Sequence, residues 1–238
     1  IAYLCRQVYR ISTLCFGDDD EEETVEEDEY VTKLEDQRLG EFAMMDTTEY
    51  KHFFRKRVDS ETQMQPKKAK RLIQEITALS TGLPLHRQSS VFLRVGSERL
   101  DVMKCVITGP EDTPYAHGIF VFDLYCPPDY PSSPPSVNLM TTGHGTVRFN
   151  PNLYTCGKVC LSLLGTWKGG LNERWDETTS TLLQVFVSIQ SLIFVQDPYF
   201  NEPGFEATMG TVLGQQQSRL YNEEVRIATI TWAMIDML

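Results

Sequence analysis

The sequence predicts an α+β domain with a four-stranded antiparallel meander, an N-terminal helix before it, and a central crossover helix and C-terminal helices after it. Two observations support this prediction. Three short runs rich in β-branched and aromatic residues, 91–95, 103–108 and 119–125, follow one another with glycine turn signals between them, and a fourth falls near 137–140. Segments with helical periodicity flank these runs on both sides. Because the strands are short and the turns close, we expect each strand to pair with the next.

The chain divides by charge into an acidic appendage, residues 1–63, and a nearly neutral domain, residues 64–238. The 238 residues carry a net charge of −11. Residues 1–63 hold 17 of the 33 acidic and 8 of the 22 basic side chains, which leaves 16 acidic and 14 basic for the remainder. Neither part offers a basic surface of the extent that a phosphate backbone requires. We therefore expect no nucleic-acid partner.

The appendage is predicted to be partly disordered and to come from a larger protein. Apolar residues at helical spacing in 1–16 indicate an amphipathic helix. Ten of the twelve residues 18–29 are acidic, and such a run repels itself, so a solvated linker is favoured over a docking tail for a basic surface. For residues 30–65 the sequence predicts either short helices or a segment that lies along the following domain, and it does not decide between the two. Since the chain starts at Ile1 without a signal-peptide pattern, we expect a piece of a longer protein.

Helices are predicted on either side of the strands. The first begins at Pro66, has apolar residues three and four apart, and ends at Gly82 and Pro84. Residues 178–195 are apolar on most sides, which predicts a buried helix. The last helix, 219–238, follows a predicted glutamine linker, 215–217. The longest apolar run, within 182–195, is too short and too polar to span a membrane.

The positions of the cysteines and histidines indicate the cellular compartment and whether a metal site is expected. The six cysteines, at positions 5, 15, 105, 126, 156 and 160, lack the dense spacing of a secreted disulfide framework. A reducing compartment fits better, and we expect a cytoplasmic protein. The four histidines offer no paired spacing with Cys156, so we predict no metal site and no cofactor.

The candidate chemistry lies around Cys160. Asn150-Pro151-Asn152 predicts a turn, because proline fixes its own φ and restricts the residue before it, and Cys160 follows eight residues after Asn152. A cysteine can carry an acyl group, and a side-chain amide can stabilise the oxyanion that forms when an amine attacks that group. From these residues alone, a buried apolar cysteine beside a turn asparagine accounts for the pattern at least as well.

Together with the segment 130–135 and Trp175, this stretch resembles the core of ubiquitin-conjugating enzymes. The resemblance covers roughly residues 66–238, about three quarters of the chain. The segments that most resemble the conjugating domain of the giant BRUCE/Apollon-type hybrids, which combine conjugating and ligase activity in one chain and inhibit apoptosis, are 107–110, 112–115, 147–152 and 201–204. The next most similar sequence pattern is that of a smaller family member that depends on the UBA6-type activating enzyme.

The resemblance implies a reaction in two steps. Cys160 accepts ubiquitin from an activating enzyme as a thioester, and a lysine of a protein substrate then attacks that thioester. Asn152 would hold the oxyanion or the turn beneath it. Asn150, which stands where most relatives have His, would brace the turn through side-chain to backbone hydrogen bonds. The implied partners are ubiquitin, an activating enzyme, with the UBA6-type enzyme as one candidate, and substrates.

The resemblance also assigns residues away from the thiol. Glu202 would position the incoming lysine, with help from Tyr199 and Asn201. The basic residues of the first helix would bind the activating enzyme: Lys67, Lys68, Lys70 and Arg71. Plain surface charge remains an alternative for Glu202 and for each basic residue.

Several other functions remain open or are disfavoured. A catalytically silent ubiquitin-binding or scaffold module and a carrier of another ubiquitin-like modifier are the alternatives. A reversible disulfide between Cys156 and Cys160 is conceivable, but an inert Cys156 is favoured. A papain-like thiol protease is disfavoured because no motif supplies the histidine base.

Overall fold

A computed structural model describes residues 20–42, 52–60, 63–168, 170 and 173–237. The amphipathic helix predicted for residues 1–16 lies outside these ranges. The α-helices of the described residues are α1 Asp20–Leu34, α2 Arg55–Asp59, α3 Pro66–Gly82, α4 Leu182–Ser188 and α5 Val212–Ala228. Short 3-10 helices span Glu35–Gln37, Ser162–Leu164, Pro198–Asn201, Glu206–Thr208 and Ile235–Met237. Residues Ile189–Ile193 continue α4 as π-helix, and Thr229–Met234 continue α5 likewise.

A five-stranded sheet forms the centre of the fold, in the order β1-β2-β3-β4-β5. Its strands are β1 Leu39–Phe42, β2 Val91–Gly96, β3 Val102–Thr108, β4 Ile119–Tyr125 and β5 Ser136–Leu139. Strands β2 to β5 pair antiparallel with their sequence neighbours, which confirms the predicted meander and the α+β class. The fifth strand, β1, was not predicted. It pairs parallel with β2, and Arg94 of β2 also donates a hydrogen bond to the Gln37 carbonyl at 2.8 Å.

Both faces of the sheet are covered, so β3 and β4 are buried at every position. On one face, the main core packs α3 and α4 against the strands, with Leu72 and Leu79 of α3 and Phe186 of α4 fully or almost fully buried. On the other face, Tyr30 and Leu34 of α1 pack against Phe92, Val106, Ile119 and Val121. A strand covered on both sides need not alternate between apolar and polar residues.

The acidic segment is helical from Asp20, whereas the charge run predicted a disordered linker. The C-terminal end of this helix is fixed to the sheet, because Tyr30 and Leu34 are each 1% exposed. The Tyr30 hydroxyl also lies 3.0 Å from Ser90 Oγ. Burial of these apolar side chains offsets the charge repulsion of the acidic residues before them.

A second appended segment, residues 52–60, packs against the sheet. Phe54 and Val58 form a small buried cluster with Val102 of β3 and Tyr125 of β4. His52 is buried, and its Nε2 lies 3.1 Å from the Met103 carbonyl. Both alternatives for residues 30–65 occur in the described residues, because the short helices Glu35–Gln37 and α2 are present and residues 52–60 also lie along the domain. The boundary at residue 63 stays a prediction.

Two predicted helices differ in their bounds and exposure. Helix α4 begins at Leu182 instead of residue 178, because Thr181 and Gln184 form a capping box at its N-terminus. It is not buried all round: Val187 is 39% and Leu192 60% exposed. The linker predicted at 215–217 is wrong, since these glutamines lie inside α5, which Thr211 caps.

Candidate active site

Asn150 holds the turn that precedes the candidate nucleophile. Its side chain is fully buried, and its Nδ2 donates to the Ile193 carbonyl at 2.7 Å and to the Tyr115 hydroxyl at 3.0 Å. Its Oδ1 accepts from the Asn152 backbone N–H at 2.8 Å. These bonds join the Asn-Pro-Asn turn to the end of the π-helical segment after α4. Asn150 thus has the bracing contacts expected of it.

A short hairpin leads from this turn to Cys160. Leu153 and Val159 form an antiparallel bridge, the Tyr154 N–H donates to the Lys158 carbonyl at 3.0 Å, and the Gly157 N–H donates to the Tyr154 carbonyl at 2.9 Å. Gly157 has φ +85°, and a Cβ there would lie 2.4 Å from the Leu139 carbonyl oxygen. Glycine is therefore needed where the hairpin packs on β5.

Two hydrogen bonds join Asn152 and Cys160, and each residue donates one of them. The Cys160 N–H donates to the Asn152 carbonyl at 2.9 Å, and Asn152 Nδ2 donates to the Cys160 carbonyl at 2.8 Å. Of the two roles considered for Asn152, this geometry is that of a brace for the turn. The residues predicted from the local motif therefore lie together.

Cys160 is nearly buried, with 2% of the residue exposed. Burial raises its pKa, because little water is present to solvate a thiolate. Lys158, the Tyr154 side chain and Arg148 oppose this effect and lower the pKa, and Cys156 raises it; the net shift is upward. Cys156 itself is exposed.

The Glu202 carboxylate is linked to the thiol-bearing segment through Arg148. Arg148 Nη2 donates to Glu202 Oε2 at 3.1 Å and to the Pro151 carbonyl at 2.7 Å. Asn201 lies against the same turn, since its Nδ2 donates to the Leu192 carbonyl at 3.0 Å and to Asn150 Oδ1 at 3.4 Å. The structure thus brings the two residues close to the Asn-Pro-Asn turn.

Tyr199 has a different environment, among aromatic rings. Its ring centroid lies 4.7 Å from that of Phe205 and 6.2 Å from that of Tyr221. These contacts pack the 3-10 helix Pro198–Asn201 against α5. The lysine-positioning role given to Tyr199 gains no support from them and stays a prediction.

An open cleft of about 840 Å³ lies next to the segment that carries Cys160. Asn152, Leu161, the exposed Leu192 and Asn201 line it, whereas Cys160 itself does not. The segment before α4 also lines it, with Lys168, Glu173, Arg174 and Asp176. The cleft therefore offers a surface of both charge signs beside the residue that follows Cys160.

The basic residues of α3 fall into two groups. Lys67 is 70% exposed in its side chain, with a 3.3 Å ion pair to Glu177, and Lys70 is exposed. Arg71 pairs with Glu75 and donates to the Ser180 carbonyl. Lys68 is fully buried and pairs with Asp101 at 2.6 Å. The prediction that Lys68 contacts an activating enzyme is therefore wrong for this conformation, because its ammonium group faces the interior.

Sequence reasoning assigned no role to Arg148, Tyr154 or Lys158. All three lie within twelve residues of Cys160, and that proximity was the available signal. Their side chains meet because the hairpin folds back on the turn. In the described part of the chain, no group of three or more His, Cys, Asp or Glu residues could hold a metal ion. Nor does any helix described there have the length and apolarity needed to cross a bilayer.

Comparison with known proteins identifies close relatives. A family model described as ubiquitin-conjugating enzyme matches residues 71–229. Over 171 residues, 72% of this chain, the sequence is 60% identical to the human dual E2 ubiquitin-conjugating enzyme/E3 ubiquitin-protein ligase BIRC6, and those residues are 4% of that protein. It is 50% identical to the probable ubiquitin-conjugating enzyme protein 17 of Caenorhabditis elegans over 72% of this chain and 23% of that protein.

A plant relative is matched over more of its length. The putative ubiquitin-conjugating enzyme E2 38 of Arabidopsis thaliana is 40% identical over 209 residues, which are 87% of this chain and 62% of that protein. In all three comparisons the chain spans less than two thirds of the relative.

Proposed function

The chain belongs to the ubiquitin-conjugating enzyme family, and we propose that it accepts ubiquitin from an activating enzyme as a Cys160 thioester and transfers it to substrate lysines. The observation that best supports this proposal is the hydrogen bond by which Asn152 fixes Cys160, next to an open cleft that Asn152 and Leu161 line. A fixed nucleophile beside an accessible groove is what acyl transfer between macromolecules requires.

In the first step, the Cys160 thiolate attacks the carbonyl carbon of the thioester between ubiquitin and the activating enzyme. A new thioester forms, and the activating enzyme's thiolate leaves. Asn152 keeps the segment that carries the thiol in position by holding the Cys160 carbonyl. The exposed Lys67 and Lys70 are the contacts that we propose for the activating enzyme, with Arg71 bonded within the domain.

In the second step, a lysine amine attacks the Cys160 thioester, and the Cys160 thiolate leaves. Lysine is protonated in water, with an ordinary pKa of about 10.4, so a carboxylate must bind and orient it, and one ammonium proton passes to solvent before the neutral amine attacks. The second proton lost from the nitrogen as the amide forms is taken up by the leaving thiolate. We assign that role to Glu202, which Arg148 holds near the Asn-Pro-Asn turn at 3.1 Å. The incoming ammonium then exchanges with the Arg148 guanidinium as the partner of this carboxylate.

A thioester assay tests the first step. The protein is incubated with ubiquitin, ATP and either a general or a UBA6-type activating enzyme, and the adduct is separated with and without reductant. We expect a reductant-sensitive adduct that is lost in Cys160→Ala, retained in Cys156→Ala, and converted to a reductant-resistant ester in Cys160→Ser. Absence of the adduct with both enzymes would contradict the proposal and favour another modifier or a silent binding module.

Discharge of the preformed thioester to free lysine tests the second step. Glu202→Gln keeps the shape of the side chain but removes its charge, so we expect the discharge rate to fall about tenfold, which corresponds to the lower end for one hydrogen bond to a charged group. Thioester formation by the same variant should be unchanged. An equal fall in the rates of thioester formation and of discharge would mean that Glu202 stabilises the fold of the site and does not position the lysine.

The wider role of the protein is also a proposal. The 60% identity to a dual conjugating enzyme/ligase supports a place for this chain as the conjugating part of a hybrid enzyme. The resemblance to BRUCE/Apollon-type proteins extends this to inhibition of apoptosis and a cytoplasmic location. Comparing the two activating enzymes in the assay above decides whether the UBA6-type enzyme is the partner.

A further inference from the structure

Arg148 lies at the Asn-Pro-Asn turn and uses only part of its hydrogen-bonding capacity. Its Nη2 donates to the Pro151 carbonyl at 2.7 Å and to Glu202 Oε2 at 3.1 Å. Among the described residues, no hydrogen bond engages its Nε or Nη1. The side chain is 41% exposed, so a molecule that binds at the turn can reach it.

A second cation lies close to Arg148. The Arg148 guanidinium carbon is 4.8 Å and the Lys158 ammonium nitrogen 5.7 Å from the centroid of the Tyr154 ring, so both charges lie against the same ring. Lys158 is exposed, and no carboxylate in the described part of the chain forms an ion pair with it. Within those same residues, Glu202 is the carboxylate that pairs with either of these two cations.

We propose that Arg148, with Lys158 beside it, is a specificity-determining residue that binds a carboxylate of the acceptor, so that the enzyme prefers acceptor lysines with an acidic residue close to them in the polypeptide. The inference deepens the proposed function and rests on it, since it concerns the lysine that attacks the Cys160 thioester. It adds no covalent step to that reaction, because only hydrogen bonds and ion pairs are exchanged.

The hydrogen bond to Pro151 makes a second carboxylate necessary. In the proposed discharge step, the incoming ammonium replaces Arg148 as the partner of Glu202. The Pro151 carbonyl still holds the guanidinium at the turn, so two cations then lie near one carboxylate and repel each other. A carboxylate of the acceptor that binds Arg148 removes this repulsion. An acceptor that brings both charges therefore binds better than an amine alone.

The chemistry of arginine suits this role. A guanidinium is planar and always charged, and it presents five N–H donors in a fixed arrangement that matches a carboxylate. Arg148 can therefore keep its bond to Pro151 through Nη2 and bind an acceptor carboxylate through Nε or Nη1. Lys158 adds a flexible charge that attracts the same group. If Arg148 instead served only to hold Glu202 in place, acceptors with and without a carboxylate would depend on it equally.

Discharge of the preformed thioester to two matched peptides tests the proposal. Each peptide has one lysine, which is flanked by glutamates in one peptide and by glutamines in the other. We expect the glutamate peptide to react about fivefold faster at low salt, the upper end for an exposed ion pair, and this ratio to fall toward one at high salt. In Arg148→Gln the ratio should be close to one at low salt too, and Arg148→Lys, which keeps the charge, should retain part of it.

Two further variants separate recognition of the acceptor from support of the site. Lys33→Gln is the matched control, because Lys33 is also the cation of an exposed ion pair, with Glu29, but lies on α1. Its peptide ratio should equal that of wild type. Glu202→Gln should slow both peptides and keep the preference for glutamate, since Arg148 still binds the carboxylate. An Arg148→Gln protein that slows both peptides equally, with its ratio intact, would overturn the proposal and leave Arg148 as a brace for Glu202.

Alkylation of Cys160 in the free protein tests carboxylate binding without ubiquitin. Iodoacetate carries a carboxylate and iodoacetamide does not, but both react with the same thiolate, so the ratio of their rates is independent of any change in the thiol pKa. We expect this ratio, measured by mass spectrometry of the peptide that contains Cys160, to fall by up to about fivefold at low salt in Arg148→Gln and to be unchanged in Lys33→Gln. An unchanged ratio in Arg148→Gln would overturn the proposal.

Failure of this inference is distinguishable from failure of the proposed function. A wild-type protein that forms no ubiquitin adduct, but whose alkylation ratio falls in Arg148→Gln, would refute the carrier function and keep Arg148 as a carboxylate-binding residue. A wild-type protein that forms the adduct and discharges it to both peptides at the same rate would keep the carrier function and refute the inference.

Discussion

Single residues in this structure show how a buried charge differs from an exposed one on the same helix. Lys68 and Lys67 are adjacent in α3, yet Lys68 is fully buried against Asp101 while Lys67 is largely exposed. Burial opposes ionisation of Asp101, but hydrogen bonds from Arg99 and Lys68 outweigh it and keep the Asp101 pKa below its ordinary value. Lys68 thus belongs to the fold, and Lys67 to the surface.

Lys68→Ala should therefore destabilise the domain. Removing one partner of a buried pair leaves the other charge poorly compensated, and we expect the free energy of unfolding in urea to fall by about 3 kcal/mol, the low end for such a change because Arg99 still pairs with Asp101. Lys67→Ala, the matched control, should unfold at the same urea concentration as wild type. A stable Lys68→Ala protein with defective charging would instead indicate that Lys68 turns outward to meet a partner.

At the same scale, sequence-based prediction succeeded where the residues are close in the chain. Asn150, Asn152 and Cys160 lie within eleven positions, and proline makes the turn between them predictable. The link between Arg148 and Glu202 joins residues 54 positions apart, and that between Lys68 and Asp101 joins residues 33 apart. Neither pairing follows from local patterns, because each depends on how distant elements pack.

At the scale of elements, the short helix α2 is held to the sheet by a buried polar cluster at its start. His52 is 4% exposed in its side chain, stands 3.8 Å from Asp123, and accepts a backbone hydrogen bond from Phe54 at its Nδ1. Asp123 also accepts from Lys104 at 3.1 Å and from the Phe53 N–H at 2.7 Å. Burial lowers the pKa of His52, and the nearby Lys104 adds to this, while Asp123 and the Met103 carbonyl oppose it.

The sign of this shift predicts a loss of stability in mild acid. Because the folded pKa of His52 lies below the unfolded value of about 6.5, the unfolded state binds the proton more readily. The contribution of the neutral His52 to the free energy of unfolding is fully present above pH 6.5. It is lost as the pH falls from there toward the folded pKa.

Urea unfolding of wild type and His52→Gln between pH 7.5 and 5 measures this effect. We expect a smaller loss of stability over this range in the variant, because glutamine does not titrate. A His52→Gln slope equal to that of wild type would show that His52 does not titrate on unfolding.

The elements also show the limits of prediction from pattern. The meander was predictable because its strands are apolar and separated by turn residues. Strand β1, with the sequence Leu-Gly-Glu-Phe, has no such signal, and it forms because β2 offers an unpaired edge. Helix α1 was missed for the related reason that its stability comes from Tyr30 and Leu34 packing on the sheet, whereas its charge pattern alone favours disorder.

At the scale of the whole molecule, the sheet separates two groups of packed elements, one on each face. The acidic N-terminal segment packs on one face, and the helices that support Cys160 pack on the other. The charge of residues such as Lys104 and Asp123 predicts surface positions, but in the fold these residues are buried between the sheet and the appendage. The overall class could be predicted because it depends on the strands and helices themselves, whereas the covering of the second face could not.

The hairpin before Cys160 has one more consequence, for solubility. The Leu139 N–H donates to the Gly157 carbonyl at 2.7 Å, and Asn138 bridges Lys158, so this hairpin covers part of β5, the outermost strand of the sheet. Unpaired strand edges are sites at which separate chains associate into aggregates. The segment that carries Cys160 therefore also shields this part of the sheet edge from self-association, and we expect substitutions that loosen it, such as replacement of Gly157, to increase aggregation.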